Sequence, residues 1–486
     1  MGRTLTVIHA LGLMLVVFSL SYVMPVITTL IYADTTMLLD FLLAMVWTAA
    51  LGGLMWMLTR RYKGELSIRH GYLLVVAMWA TMPAVATLPL LMVLPGLSFT
   101  DAYFETMSGL TTTGATVLTG LDYLPPAINI WRHELNWLGG MGIIVLAVAV
   151  LPLLGIGGRQ LFKAETPGPM KDAALTPRIT ETARNLWLVY LCITLACIAS
   201  LKLAGMNWLD AICHAFAATG LGAFSTHDAS IGYFNSPAIE AVLMVFMLLS
   251  AMNFSTHFMA WRAKSLKPYR LDVEGLSTVG LVLISCAGMT FFLWWQGTYA
   301  SFWTALRYAS FNLVSMATDC GLSNADFNRW PIFAPLWMLF LGGIVASSGS
   351  TGGGIKMIRA LVLVKQAGRE FVKLLHPAAV NPMKIGGQVI PNRVVFSVLG
   401  FISLYFMSVV ILTFALLISG LDFISAFSAI IACINNVGPG LGVVGPASNY
   451  GVLTDLQTWV CTFAMLIGRL EIFTVLILFT PQFWRR

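Results

Sequence analysis

Charge is what this 486-residue sequence has least of. Asp, Glu, Lys and Arg make up 10% of it, against roughly a quarter in a soluble globular domain. With 58% hydrophobic residues and a mean hydropathy of +0.83, the chain does not read as a water-soluble domain. Cysteine is sparse as well. The seven copies (Cys192, Cys197, Cys213, Cys286, Cys320, Cys433 and Cys461) form no CxxC pair and lie in or near apolar segments, which reads as small buried hydrophobes and not as a disulfide framework or metal site. HExxH, GxSxG and paired carboxylates within apolar runs are missing, so a membrane enzyme is not indicated. The run GSTGGGIK (349–356) looks like a phosphate loop, but that motif needs glycine directly before lysine and Ser or Thr after it. Here Ile355 intervenes and Met357 follows, so nucleotide hydrolysis is not expected.

What the chain does have is apolar runs of bilayer-crossing length, roughly 20 residues each. Ten are read near 5–32, 37–59, 72–95, 128–153, 185–205, 238–261, 275–296, 332–348, 394–419 and 456–480. No small-residue cleavage site follows the first, so it reads as a retained helix and not a signal peptide. Of the 28 basic residues, 23 fall at the two ends or in alternate loops. Those loops carry Arg60 to Arg69, Arg159 to Arg184, Arg262 to Arg270, and Lys356 to Arg393. The positive-inside rule places these loops and both termini in the cytoplasm. The same bias accounts for the net charge of +7 without nucleic-acid binding, and it suits anionic lipid or an acidic partner.

The intervening loops are long and not polar. They read DAYFETMSGLTTTGATVLTG from Asp101, DAICHAFAATGLGAFSTHDA from Asp210, TALRYASFNLVSMATDCGLSNADF from Thr304 and DFISAFSAIIACINNVGPGLG from Asp422. Each starts at a residue suited to a helix N-cap, runs about ten half-apolar residues and is expected to break at glycine. Gly114, Gly222, Gly321 and Gly438 are 108, 99 and 117 residues apart, which suits a unit of span, half-helix, loop and span. The expected fold is an all-α polytopic membrane protein with four such units. Its boundaries fall at 1–65 for an added helix pair, then 66–160, 161–265, 266–375 and 376–486. Non-helical backbone at membrane depth survives only when buried in protein or lining a water-filled path. Four loops around one axis supply carbonyl oxygens able to replace a cation's water shell, and glycine permits the backbone to turn them inward. A cation pathway follows.

These residues resemble a known family. TTTGATV (111–117), FSTHDASIGYF (224–234), TDCGL (318–322), NNVGPGLG (435–442), GSTGGGIK, GRLEI (468–472), IVLAVAVLPLLGIGG (144–158) and ETPGPMKDAALTPRI (165–179) look like the TrkH-type potassium uptake proteins of the Trk/Ktr/HKT superfamily. The resemblance implies a pseudo-fourfold K+ pore in each subunit of a homodimer in the bacterial cytoplasmic membrane. It also implies a cytosolic TrkA-type regulator ring that carries the nucleotide site, and no cofactor in this chain beyond transported K+. The implied filter comprises Thr112, Thr113 and Gly114; Leu221, Gly222 and Ala223; Asp319, Cys320 and Gly321; and Asn436, Val437 and Gly438, acting through backbone carbonyls. In the second loop Gly222 is the expected position and Ala223 the alternative, since relatives show two glycines before the phenylalanine. Serine in place of the first-loop glycine accompanies Na+ passage among relatives, so Gly114 favours K+.

Two further features bear on gating. The glycine run interrupts the second helix of the third unit; Gly349, Ser350, Thr351, Gly352, Gly353, Gly354 and Lys356 are expected to form a movable gate, with small-residue helix packing as the alternative. Arg469, inside an apolar run, either pairs with Glu471 or carbonyls as structural glue or stands in the path as a barrier; the resemblance favours the barrier. Asp319 reads equally as an external carboxylate that concentrates cations or as a loop brace. Glu105, His214, Asn435 and Asn436 read as braces. The competing function is a secondary transporter coupling K+ to H+ or Na+, for which Asp319 is the main titratable candidate.

Overall fold

The computed structural model describes residues 2–62, 64, 66–142 and 179–485. Residues 143–178 lie outside them, and with them the inner end of the fourth expected span, two of the family-like motifs, Arg159, Lys163, Lys171, Arg178 and the 160/161 boundary. The described chain is almost wholly helical; its strands, Lys384–Ile385 and Gln388–Val389, form one small hairpin. Four units follow one another, each a helix, a half-helix and a second helix. They are Ile68–Val93, Phe99–Leu110 and Pro126–Met141; Ile179–Leu203, Trp208–Gly220 and Pro237–Ala251; Val273–Trp295, Phe302–Ala317 and Phe333–Gly342; and Asn392–Ile418, Phe423–Ile434 and Asp455–Arg469.

Among the described residues, six helices are long and apolar enough to cross a membrane, or eight when each bent pair counts as one. The expected spans at 238–261, 332–348 and 456–480 are therefore not continuous helices. The first bends by 96° between Ala251 and Phe254, and the last by 112° between Arg469 and Ile472. The middle one stops at Gly342, and helix resumes only at Met357. An apolar run records the composition of a span but not its direction, so a bend with apolar residues on both sides leaves no mark in hydropathy.

The added N-terminal pair, Gly2–Phe18 and Thr35–Leu58, crosses at two glycines. A Cβ on Gly12 would stand 2.7 Å from the Gly52 carbonyl oxygen, and one on Gly52 would stand 2.6 Å from that of Gly12. Only glycine allows this approach. The pair is fastened to the first unit by Tyr22, whose hydroxyl donates to the Val85 carbonyl at 2.9 Å. Pro89 lies four residues on within that helix and has no N–H to offer Val85. The tyrosine thus supplies the donor that the proline withholds.

Candidate functional site

Each half-helix starts from a side-chain cap or a serine and ends in the same turn. Ser98, Asn207 and Asp422 accept from the amides of Asp101, Asp210 and Ser425, while Ser301 precedes the third half-helix. Three starts thus lie three residues before the expected ones. Asp101 and Asp210 sit in the first turn, where each carboxylate accepts from its cap side chain.

The expected break at glycine is also displaced. The left-handed residue closing each half-helix is Thr112 (φ 58°), Leu221 (57°), Asp319 (67°) or Asn436 (59°). The next amide, of Thr113, Gly222, Cys320 or Val437, donates to the carbonyl five residues back at 2.9, 3.0, 2.9 and 2.8 Å. This is the Schellman closure, ordinarily built on glycine. A side chain in that conformation costs about 1–2 kcal/mol, so four in register mark backbone positions held by their surroundings.

The turns set the register of the loops. One residue beyond each closing amide stand Gly114, Ala223, Gly321 and Gly438, and all four line a single cavity of about 260 Å³. The second loop therefore presents Ala223, not Gly222, at the level of the other three glycines. Gly222 is glycine for a different reason: a Cβ there would meet the Asn136 side chain at 2.3 Å. Gly114, Gly321 and Gly438 have φ of 72°, 77° and 102°, and each leaves room for a neighbouring loop. A Cβ on Gly321 would fall 1.8 Å from the Val437 carbonyl oxygen, and one on Gly438 would fall 2.7 Å from that of Thr113. The Ala223 methyl points toward the same space, 2.8 and 2.5 Å from those hypothetical atoms.

Behind the ring, each half-helix braces the strand that returns from it. Glu105 accepts from the Thr116 hydroxyl and the Val117 amide at 2.9 and 3.0 Å. His214 Nε2 meets Ser225 Oγ at 2.9 Å, Asn312 accepts from the Asn324 amide at 3.4 Å, and Ser428 Oγ accepts from the Leu441 amide at 2.8 Å. Glu105 and His214 are thus braces, as expected. Asn436 Nδ2 donates to Thr113 Oγ1 at 3.0 Å and to the Met465 carbonyl at 3.1 Å, and Asn435 Oδ1 accepts from the Tyr405 hydroxyl at 2.8 Å.

The glycine run lies directly beneath the half-helix ends. Thr351 Oγ1 donates to the Thr219 carbonyl at 3.0 Å, a Cβ on Gly353 would stand 2.2 Å from the Asn435 carbonyl oxygen, and one on Gly352 would stand 3.0 Å from Asp319 Oδ2. Small residues are therefore required for close approach here, so packing and gating make the same demand. Asp319 is fully buried at the inner end of its half-helix, beside Gly352 and Gly342. Of its two readings, the external carboxylate does not fit, because Asp319 closes the half-helix fully buried against the glycine run and not at an accessible mouth. Lys356 Nζ donates back to the Gly352 carbonyl, and Arg469 donates to the carbonyls of Thr351 (2.8 Å), Gly140 (2.9 Å) and Gly139. One side chain thus ties the run to the end of the first unit's second helix. Glu471 is paired with Arg359 at 2.8 Å.

The TrkH family model, described as a cation transport protein, matches residues 38–486. The chain belongs to the TrkH family. The Trk system potassium uptake protein TrkH of Salmonella typhimurium is 46% identical over 478 residues, 98% of each chain. TrkG of Escherichia coli K12 is 40% identical over 487 residues, 99% of this chain and 98% of that one. The crystal structure of the potassium transporter TrkH from Vibrio parahaemolyticus matches with a TM-score of 0.89 and 43% identity, covering 99% of both chains. Like its TrkH relatives, this chain is a multi-pass membrane protein, with the apolar helices described above.

Three contacts of this TrkH-family chain were not foreseen from its sequence. Glu274 Oε1 accepts from the amides of Ser348 (2.5 Å) and Ile358 (3.2 Å), clasping both flanks of the glycine run from the start of the third unit. The Tyr450 hydroxyl donates to the Gly438 carbonyl at 2.8 Å. At the mouth of the cavity, His227 joins the first two loops through Nδ1 to Asp122 Oδ1 (2.5 Å) and Nε2 to Asp210 Oδ2 (3.3 Å). Burial alone would push the His227 pKa down, but hydrogen bonds to the Asp210 and Asp122 carboxylates outweigh it and the pKa is raised. The partners in these contacts are 12 to 105 residues apart and follow no common spacing, so no periodic signal marks them, which is why none of the three was legible.

Proposed function

We propose that this chain admits K+ to the cytoplasm through the axis shared by its four loops. The observation that carries the reading is the fourfold recurrence of one backbone turn, which brings Gly114, Ala223, Gly321 and Gly438 around one cavity. The K+ assignment is supported by the relatives, named as potassium uptake proteins. In this reading the carbonyls of residues 112–114, 221–223, 319–321 and 436–438 replace the ion's water shell. The run 349–354 with Lys356 is the gate, and Arg469 straps it shut. A homodimer in the cytoplasmic membrane, both termini inside, works with a cytosolic nucleotide-binding regulator that meets the basic inner loops.

Coupled transport with H+ or Na+ is the second reading, and the observation in its favour is Asp319, a fully buried carboxylate beneath the ring. Flux of K+ and Na+ into proteoliposomes, with and without a proton or Na+ gradient, separates the two. K+ flux that ignores both gradients is expected. Absence of any monovalent cation flux, with the regulator present, would end the main reading.

A further inference from the structure

The braces behind the ring differ in one respect: three are neutral and one is an ion pair. Glu105 of the first half-helix meets Arg132 Nε at 2.7 Å, both side chains 1% exposed. The arginine does not stop at its partner. It donates to Thr116 Oγ1 at 3.3 Å, to the Ser225 carbonyl at 3.2 Å and to Asn129 Oδ1 at 3.3 Å. Its guanidinium also stands 4.4 Å from the centre of the Phe224 ring.

Thr116 comes two residues after Gly114, and Ser225 two residues after Ala223. One planar fork therefore holds equivalent points of two adjacent loops at a fixed separation. A guanidinium suits this because its donors are rigidly arranged, and no lysine reproduces that fork. The seam between loops two and three is made instead by neutral bonds, from the Ile231 amide to the Ser323 carbonyl (2.9 Å) and from the Ser323 amide to Ser230 Oγ (3.2 Å).

We propose that Arg132 is a positioning residue for cation selectivity. A small ion such as Na+ is favoured when carbonyls can draw inward around it, and a larger ion when their separation is kept. Arg132 resists the inward movement of loops one and two, with Glu105 neutralising it so that the cavity above the ring, which Arg132 also lines, gains no net positive charge. The arginine touches no ion. It acts through Thr116 and Ser225, and this inference rests on the four loops being the K+ path.

The test is relative K+ and Na+ uptake by the full-length chain in proteoliposomes. Arg132→Gln is expected to lower the K+ preference by about threefold or more, the equivalent of one modest hydrogen bond. Arg132→Lys, which keeps the charge opposite Glu105 but loses the fork, is expected to lower it less. A purely structural role would reduce the amount of folded protein and leave the ratio of the two ions unchanged. An unchanged ratio in folded Arg132→Gln overturns the proposal; where that variant does not fold, an unchanged ratio in Arg132→Lys does so. Wild-type protein that passes no K+ would instead sink the reading of the pathway, so the two failures are distinguishable.

Discussion

Arg469→Ala tests the strap beneath the ring. In the wild type, the guanidinium donates to the Thr351 carbonyl in the glycine run and to the Gly139 and Gly140 carbonyls of the first unit. Only the first of these bonds holds the run. A hydrogen bond to a charged group contributes about 1.5–3 kcal/mol, so losing it raises the open fraction by about 10- to 150-fold while that fraction is small. Removing the charge acts in the same direction, since a unit charge ~5 Å from a passing cation at an effective dielectric of ~20 repels it by about 3 kcal/mol. The carbonyls around Arg469 screen part of that, and tenfold is therefore the lower bound. The assay is 86Rb+ or K+ uptake into proteoliposomes without the cytosolic regulator, normalised to folded protein by gel filtration. Arg469→Lys separates the two contributions: it keeps the charge but cannot span carbonyls of two elements, so raised flux in Lys assigns the effect to the strap. Flux within about twofold of wild type in folded Arg469→Ala would refute the reasoning.

Glu274→Ala frees both flanks of the glycine run and is expected to raise regulator-free flux, whereas Glu274→Gln keeps an acceptor and stays near wild type; lowered flux in folded Glu274→Ala would show that the clasp supports the open state instead. Ala223→Gly removes the one methyl at the ring level, costs about 0.4–1 kcal/mol of stability through the greater freedom of the unfolded chain, and is expected to raise Cs+ flux relative to K+; an unchanged ratio would place that methyl outside the path. Because the folded-state pKa of His227 is raised, its clamp on Asp122 and Asp210 is complete below the ordinary imidazole value and lost as pH rises through the raised one. Amide exchange in 224–232, divided by its intrinsic rate at each pH, should therefore lose protection as external pH rises through the raised imidazole value in the wild type and show no such step in His227→Gln.

The parts of the site legible in sequence were those that composition alone dictates. Four half-apolar loops ending in glycine, a glycine run inside an apolar span and a lone Arg469 are visible as departures from a bilayer-crossing pattern. Their meeting, Arg469 against Thr351, is not dictated by composition; it is what the family resemblance implies. What misled was glycine used as a marker of the turn. The turn residues are Thr112, Leu221, Asp319 and Asn436, because burial and the bonds around them override the ordinary preference for glycine in that conformation. Counting from glycine favours Gly222, which is small to admit Asn136, over the alternative Ala223, which stands at the level of the other three glycines. The external reading of Asp319, one of two that the sequence leaves level, fails for a related reason: sequence places the residue next to Gly321 but does not say that the chain has just reversed there. Glu274 was hidden by its neighbours, one acidic residue at the head of a long apolar helix.

The ring has a property that follows from its being written in one chain. In a pore assembled from four copies, every substitution appears four times, and the mildest available change is a full ring of new side chains. Here Ala223 is a single methyl among three glycines, a quarter-step that a four-copy assembly has no means of taking. The same holds for the lone Arg132 and Glu105 pair behind the first loop and for Arg469 below the fourth. Under the proposed reading of the ring as the K+ path, selectivity and gating can be adjusted in fractional increments, one loop at a time, while the remaining loops stay as they are.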